Sequence, residues 1–496
     1  MEMFANFVVL RPFMNENAKQ NTLKGLFWNA VDRFGNQLVT AVVGVITARI
    51  LNPDDFGVLA VLLIFMTIST TFVDSGLATS LVRSPKVDEQ DYSSMFVFNL
   101  FVSVLLYAIL FCVSPYIESF NGIDGLAVYA RVLFLQLIIH SLGIVQYVKL
   151  LKKFAFKETA RINVFAIVFS GSLVITLALL GFGVWAILLQ PVLYSSFRTA
   201  MLWIWGDWQP NLFFSAKVLK RHLQFSLTFM AGSMLRKIFS DIYYSFIGKN
   251  FTLAQTGFYQ QGNKWGEMPN LTISSIIQGT TLSTLAPIQD DYPRFLNACR
   301  KSMKTLGFVL FPVSLLAIAV GRPAIVFFLT DNWVNSILYF QLLCFAGIFI
   351  SLTDLNVNFL NIKGKSTYTL WMELLKVVLA IGLLLGTYKH GILAIIYGQI
   401  VIRLVFFVAS TCLSGKIYGY SFARQIHDLA GTFSSSLVAF GGAVAVFNYF
   451  GYVSTVLLLL LQSITFVTIY VLCSHIGKNE IWMELLQLLK SKLAKR

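Results

Sequence analysis

Three apolar stretches of helix length carry ionisable side chains where such side chains are rare. Asp32 and Arg33 lie in 24–50, Arg236, Lys237 and Asp241 in 221–247, and Lys264 and Glu267 in 258–286. Within a bilayer each such group costs roughly 2.5–3.5 kcal/mol on insertion scales, so it faces a protein interior or a water-filled cavity. Two kinds of chemistry follow. Bases placed there bind an anionic group such as a phosphate or diphosphate. Acids placed there load and release an ion as their access changes. The binding candidates are Arg33, Arg49, Arg198, Arg236, Lys264 and Arg403. The coupling candidates are Glu267, Asp32 and Asp241, with Glu267 first because it stands two residues before Pro269, a point of expected bending. The ion would be H⁺ or Na⁺. No catalytic residue, resident cofactor or metal site is expected.

The spacing sorts these residues onto faces. In 258–286, Gln260, Lys264, Glu267, Asn270, Ser274, Gln278 and Thr281 recur every three or four residues, which is one side of a helix. Asn29, Arg33, Asn36, Thr40, Gly44 and Thr47 form a similar stripe, and Ser233, Arg236, Lys237, Ser240 and Tyr244 a third. Hydroxyls and amides in a stripe also serve as hydrogen-bonding glue between packed helices. Lys237 with Asp241, Lys264 with Glu267, and Glu373 with Lys376 stand at pairing distance along a helix. Arg33, Arg198, Arg236 and Arg403 have no obvious acid nearby in sequence. Asp54 and Asp55, after Pro53, read as a turn and helix N-cap.

The elements that must hold these residues are membrane spans. The 496 residues are 57% hydrophobic and only 12% charged, with a mean hydropathy of +0.72, whereas soluble domains carry about 25% charged residues. Fourteen apolar stretches are long enough to cross a hydrocarbon core of ~30 Å. Alternating the loops between two sides puts 26 of the 38 Lys and Arg on one side, which the positive-inside rule makes cytoplasmic, with both termini there. Orientation and anionic lipid account for the net charge of +15; nucleic acid is not an expected partner. No cleavable signal sequence is expected. The five cysteines are scattered hydrophobes. The phosphate loop of an ATPase is absent, and so is an outside loop large enough for a catalytic domain.

The expected fold is all-α and polytopic, with about 14 transmembrane helices: two six-helix lobes plus two C-terminal helices. The divisions are a cytoplasmic segment 1–23, an N-lobe 24–205, a linker 206–220, a C-lobe 221–413, two further spans in 414–476 and a basic tail 477–496. The segment 322–331 is a candidate extension of the ninth span. A weak repeat supports two parallel halves. Gly-Val-Trp-Ala-Ile at 183–187 matches Gly-Ile-Leu-Ala-Ile at 391–395, and Asp55-Phe56-Gly57 falls opposite Gln255-Thr256-Gly257.

Residues 22–60, from Thr-Leu-Lys-Gly-Leu-Phe-Trp-Asn-Ala-Val to Asn-Pro-Asp-Asp-Phe-Gly-Val-Leu-Ala, resemble the opening of bacterial polysaccharide repeat-unit (Wzx-type) flippases. Phe72–Leu77 and Gly181–Ala186 resemble the same family, which belongs to the multidrug/oligosaccharidyl-lipid/polysaccharide exporter superfamily. The resemblance implies a V of two lobes, alternating access and an undecaprenyl-diphosphate-linked oligosaccharide as cargo in the bacterial inner membrane. It implies membrane lipids, and polymerase and chain-length machinery for surface polysaccharide, as partners. Relatives that flip the peptidoglycan precursor carry bases on the first, second and eighth helices; Arg33 and Lys264 occupy comparable places, while the second helix here offers none. The alternatives are an ion-coupled multidrug antiporter of the same architecture, against which the excess of bases speaks, and a membrane glycosyltransferase, polymerase or ligase on the same carrier.

Overall fold

The computed structural model describes residues 16–74, 80–82, 84, 87–211 and 213–493. Residues 1–15, the 75–77 part of the quoted motif, the side chain of Asn29, and Lys495 and Arg496 of the basic tail lie outside the described residues. The described chain is helical. In order come α1 (Glu16–Ile50), α2 (Pro53–Asp74), α3 (Glu89–Asn121), α4 (Leu126–Lys152), α5 (Phe156–Leu179), α6 (Val184–Trp205), α7 (Ala216–Asn250) and α8 (Leu253–Leu285). Then follow α9 (Tyr292–Ala319), α10 (Gly321–Leu329), α11 (Ile337–Ile362), α12 (Ser366–Thr387), α13 (Ile392–Tyr418), α14 (Phe422–Phe450), α15 (Thr455–Ile476) and α16 (Glu480–Leu493).

Fourteen of these are long enough to span a bilayer, and ten regions are also apolar enough by composition. The other four are α1, α6, α7 and α8, three of which carry the polar stripes. A span that keeps ionisable groups loses hydropathy. Along α12 the outward residues are apolar and exposed, with Trp371 at 65%, Val378 at 57% and Leu385 at 60%, the surface that lipid covers. The chain is an all-α, multi-pass membrane protein. The extension expected at 322–331 is a separate element: α9 ends at Ala319, and α10 and a short 3₁₀ turn (Asp331–Ser336) lead into α11.

The described residues form two compact units, one running to Gly257 and the other starting at Phe258. In the first, α1 packs on α5, where Gly171 leaves room for Val43, and an apolar core gathers Leu62, Met95, Leu133, Phe134 and Val145. The segment after α6 docks on this unit: Gln146 Nε2 donates to the Trp208 carbonyl at 2.6 Å, and Trp208 meets Phe96 edge-on at 5.4 Å. Helix α7 then packs within the same unit. Lys237 Nζ donates to Thr71 Oγ1 of α2 at 2.9 Å, Gly248 accommodates Val61, and Arg221 pairs with the buried Asp91 of α3.

The internal repeat becomes physical at two places. Helices α6 and α13 both open after a glycine with positive φ, Gly183 (53°) and Gly391 (91°), a backbone that β-carbon-bearing residues avoid. Helices α2 and α8 open with matching turns. The Asn52 N–H donates to the Asp55 carboxylate at 2.9 Å, so Asp55 works from inside the first turn rather than as the N-cap residue itself. Two hundred residues on, the Thr252 N–H donates to Gln255 Oε1 at 3.2 Å and the Gln255 N–H returns a bond to Thr252 Oγ1 at 3.3 Å, a reciprocal capping box. The contact between these starts is also reciprocal. A β-carbon on Gly57 would collide with the Leu253 carbonyl, and one on Gly257 with the Pro53 carbonyl. Pro53 and Leu253, like Gly57 and Gly257, are repeat mates.

In the second unit, α9, α11, α13 and α14 enclose Met303, Leu306, Leu352, Phe359 and Tyr418. The ends of α9 and α14 are clamped by Asp428, 1% exposed, which accepts from Arg300 Nη2 at 2.7 Å, Arg300 Nε at 2.8 Å and Tyr420 Oη at 3.0 Å. Breaking a buried pair from one side costs several kcal/mol because the surviving charge is left uncompensated. With Arg300 partly in solvent, Asp428→Ala should lower stability by about 3 kcal/mol. Thermal unfolding of the detergent-solubilised protein measures this, and a shift of under a degree would refute the clamp.

Candidate functional site

Each unit carries a cluster that joins sequence-predicted acids and bases across its helices. In the first, Asp32 on α1 is half-buried. Asn36, one turn on, donates to Asp32 Oδ1 at 2.6 Å. Asn163 of α5 spreads its amide across both carboxylate oxygens at 3.1 Å each. The Asn163 carbonyl in turn accepts from Arg198 Nε of α6 at 2.9 Å, and the Arg198 guanidinium lies 4.5 Å over the Tyr147 ring of α4. Four helices therefore meet on one chain of bonds from acid to amide to base. The amide is the joint: it donates to the negative end and accepts from the positive end, which an apolar residue cannot do. Arg198, without an acid in sequence, is thus tied to Asp32 across 166 positions through Asn163. Asn163 and Tyr147 are uncharged, so nothing in the sequence marks them among the other polar residues of α4 and α5.

In the second unit, Glu267 of α8 accepts from Arg403 Nη2 of α13 at 2.5 Å. This replaces the expected pairing of Glu267 with Lys264. Residues three apart on a helix are neighbours, but the guanidinium of another helix reaches the carboxylate head-on. Gln399, one turn before Arg403, donates to the Tyr259 hydroxyl at 2.7 Å and accepts a long bond from Arg403 Nη2 at 3.5 Å. The Arg403 side chain is 7% exposed and that of Glu267 12%. Arg403 Nε and Nη1 are buried with no acceptor among the described residues. An unpaired buried donor costs about 1–3 kcal/mol. Lys264 lies 5.4 Å over the Trp265 ring instead.

The rest of the α8 stripe divides by depth. Gly262 and Gly266 let α8 pack on the backbone of α11, so that a β-carbon on either would press on Phe340. In the next turn Asn270 donates to the Cys344 carbonyl at 2.9 Å and accepts from Ser314 of α9 at 2.6 Å. Asn270 therefore joins three helices as glue, and the ionisable pair stands apart from it. Glu373 and Lys376 form their expected pair at 3.2 Å. Asp74 pairs with His140 of α4 at 2.9 Å.

The remaining candidates take other places. Arg33 is exposed and forms no ion pair among the described residues, and the same holds for Arg236. Arg49 is exposed at the end of α1, and Asp241 is half-buried on α7. No group of His, Cys, Asp or Glu suited to a metal ion occurs among the described residues. The arrangement offers exposed or partly satisfied cations and two carboxylates held by donors. It can bind an anion and exchange charge.

Known proteins place this architecture. The chain is similar to the succinoglycan biosynthesis transport protein ExoT of Rhizobium meliloti, 24% identical over 85% of this chain and 84% of that one. It is similar to the lipopolysaccharide biosynthesis protein WzxC of Escherichia coli, 21% identical over 83% and 84%. Its fold matches a solved lipid II flippase MurJ with a TM-score of 0.75 at 13% identity, covering 92% of this chain and 99% of the other. A family model described as a polysaccharide biosynthesis protein matches residues 46–338, more than half of the chain. The chain therefore belongs to the polysaccharide biosynthesis protein family, on a fold shared with that flippase.

Proposed function

We propose that this protein flips undecaprenyl-diphosphate-linked oligosaccharides from the inner to the outer leaflet of the bacterial inner membrane, for surface polysaccharide assembly. The observation that carries the reading is the placement of cations within spanning helices of a member of this family: Arg198 on α6, Lys264 on α8 and Arg403 on α13. A diphosphate and several sugars cannot enter hydrocarbon unaided, because each unsatisfied polar group costs several kcal/mol. Helix-borne bases and amides replace the lost water. The isoprenoid tail can remain in lipid. On this reading the protein transports and does not catalyse, works by alternating access of two six-helix lobes, and has both termini in the cytoplasm. Either H⁺ or Na⁺ drives it through Glu267, Asp32 or Asp241. Its partners are the lipid-linked oligosaccharide, membrane lipids, and the polymerase and chain-length machinery downstream.

Proteoliposomes loaded with a defined lipid-linked oligosaccharide test this directly. The wild type should move the lipid between leaflets, and Arg33→Ala with Lys264→Ala should reduce that at least tenfold with insertion unchanged, since charge-assisted bonds to phosphate are lost. Full transport by the double variant would remove these bases from the site. Orientation is checked separately: cysteines at Asn121 and Ser454 should label from the periplasm and one at Lys153 should not.

A further inference from the structure

The Arg403–Glu267 pair differs from the Arg300–Asp428 pair of the same unit, in which only the acid side chain is buried. Arg300 gives Asp428 a forked, two-bond contact at 2.7 and 2.8 Å, and Tyr420 adds a third bond. Arg403 gives Glu267 one bond at 2.5 Å, while its Nε and Nη1 are buried without an acceptor among the described residues. A guanidinium used only as a brace would close its fork on the carboxylate. Arg403 keeps most of its donors unspent. A phosphate oxygen cluster, with several acceptors in a tetrahedral array, has the chemistry to use them.

The surroundings fit an anion better than a second carboxylate. On α8, Lys264 stands three residues before Glu267 and rests on Trp265, with no ion pair among the described residues. Tyr259 on α8 and Gln399 on α13 are bonded to each other, and Cys344 on α11 is a free, buried cysteine. On α12 the acid Glu373 is already closed on Lys376. Glu267 is therefore the acid that occupies Arg403, and removing its carboxylate from the guanidinium leaves Arg403 and Lys264 as two cations.

We propose that Arg403 is an anion-binding residue and Glu267 its place-holder: a phosphate oxygen of a diphosphate displaces the Glu267 carboxylate from the guanidinium. The inference rests on the flippase reading and names the cargo group that this unit takes. Glu267 then acts by competition. It keeps Arg403 neutralised when no cargo is present, and its release marks the loaded state.

Competition gives the two residues opposite signs in one experiment. The whole protein in lipid nanodiscs is titrated with inorganic pyrophosphate by calorimetry. Glu267→Gln should tighten binding about tenfold, because the intramolecular competitor is gone. Arg403→Lys should weaken it at least tenfold, since an ammonium cannot supply the fork. The doubly neutral Glu267→Gln, Arg403→Met variant removes both charges together, which buried pairs tolerate; it should fold, as judged by its melting temperature, and lose pyrophosphate binding. Unchanged pyrophosphate affinity in Glu267→Gln and in the double variant would make the pair a structural brace and overturn the proposal. Oligosaccharide transport is measured on the same preparations. Wild-type transport without any Arg403-dependent pyrophosphate binding sinks the place-holder and leaves the flippase reading standing, whereas absent wild-type transport with Arg403-dependent binding supports the anion site and counts against the flippase reading.

Discussion

Gly57→Val and Gly257→Val are each expected to destabilise the crossing of α2 with the start of α8 by roughly 3 kcal/mol, the upper end of overpacking costs. Each is expected to reduce transport at least tenfold. The reason is that the neighbours of the missing side chains are backbone carbonyls, of Leu253 and Pro53 respectively. A side chain can rotate away from a new methyl group; a helix start held by its own capping bonds cannot. Asn52 with Asp55, and Thr252 with Gln255, fix both starts. Because the contact is reciprocal, the two substitutions should have similar effects, and the double variant should cost less than their sum, since one separation relieves both clashes. Melting temperatures and transport rates of the three variants measure this. Wild-type values for either single variant would show that the helices do not approach as closely as described.

Asn163→Leu is the second large effect. Asn163 makes three bonds, all to charged groups, and is 8% exposed. Hydrogen bonds to charged partners contribute about 1.5–3 kcal/mol each, and they are not additive in a network. A total loss of about 3 kcal/mol is expected, together with a transport defect of at least tenfold, because Asp32 and Arg198 lose the group that connects them. Asn163→Gln retains the amide and should be milder. Equal stability of wild type and Asn163→Leu would mean that water replaces the amide at no cost. That outcome would place Asp32 and Arg198 in an open aqueous site instead of a helix-packed one.

The sequence alone determined the solvent, the element type and the places of the fourteen long helices, though not the short α10 and α16. Apolar runs separated by glycine, proline and charged loops allow only helices in a bilayer, because every backbone group must be satisfied within its own segment. The ionisable residues were legible for the same reason: against so apolar a background, Asp32, Lys264, Glu267 and Arg403 stand out wherever they point. Even the repeat showed, in glycines whose spacing later met in space at Gly57 and Gly257. Partnership was not legible. Sequence spacing ranks neighbours along one helix, so it paired Glu267 with Lys264, three residues away, and left Arg198 and Arg403 without an acid. Helix packing decided otherwise, bringing Arg403 to Glu267 from 136 positions away and inserting Asn163 between Asp32 and Arg198. A periodic stripe likewise does not say which of its members is glue, and Asn270 became glue because Gly262 and Gly266 draw α8 onto α11. Local composition fixes which groups must leave water, while the identity of the group that replaces water is set by the positions of other helices, which no single segment encodes.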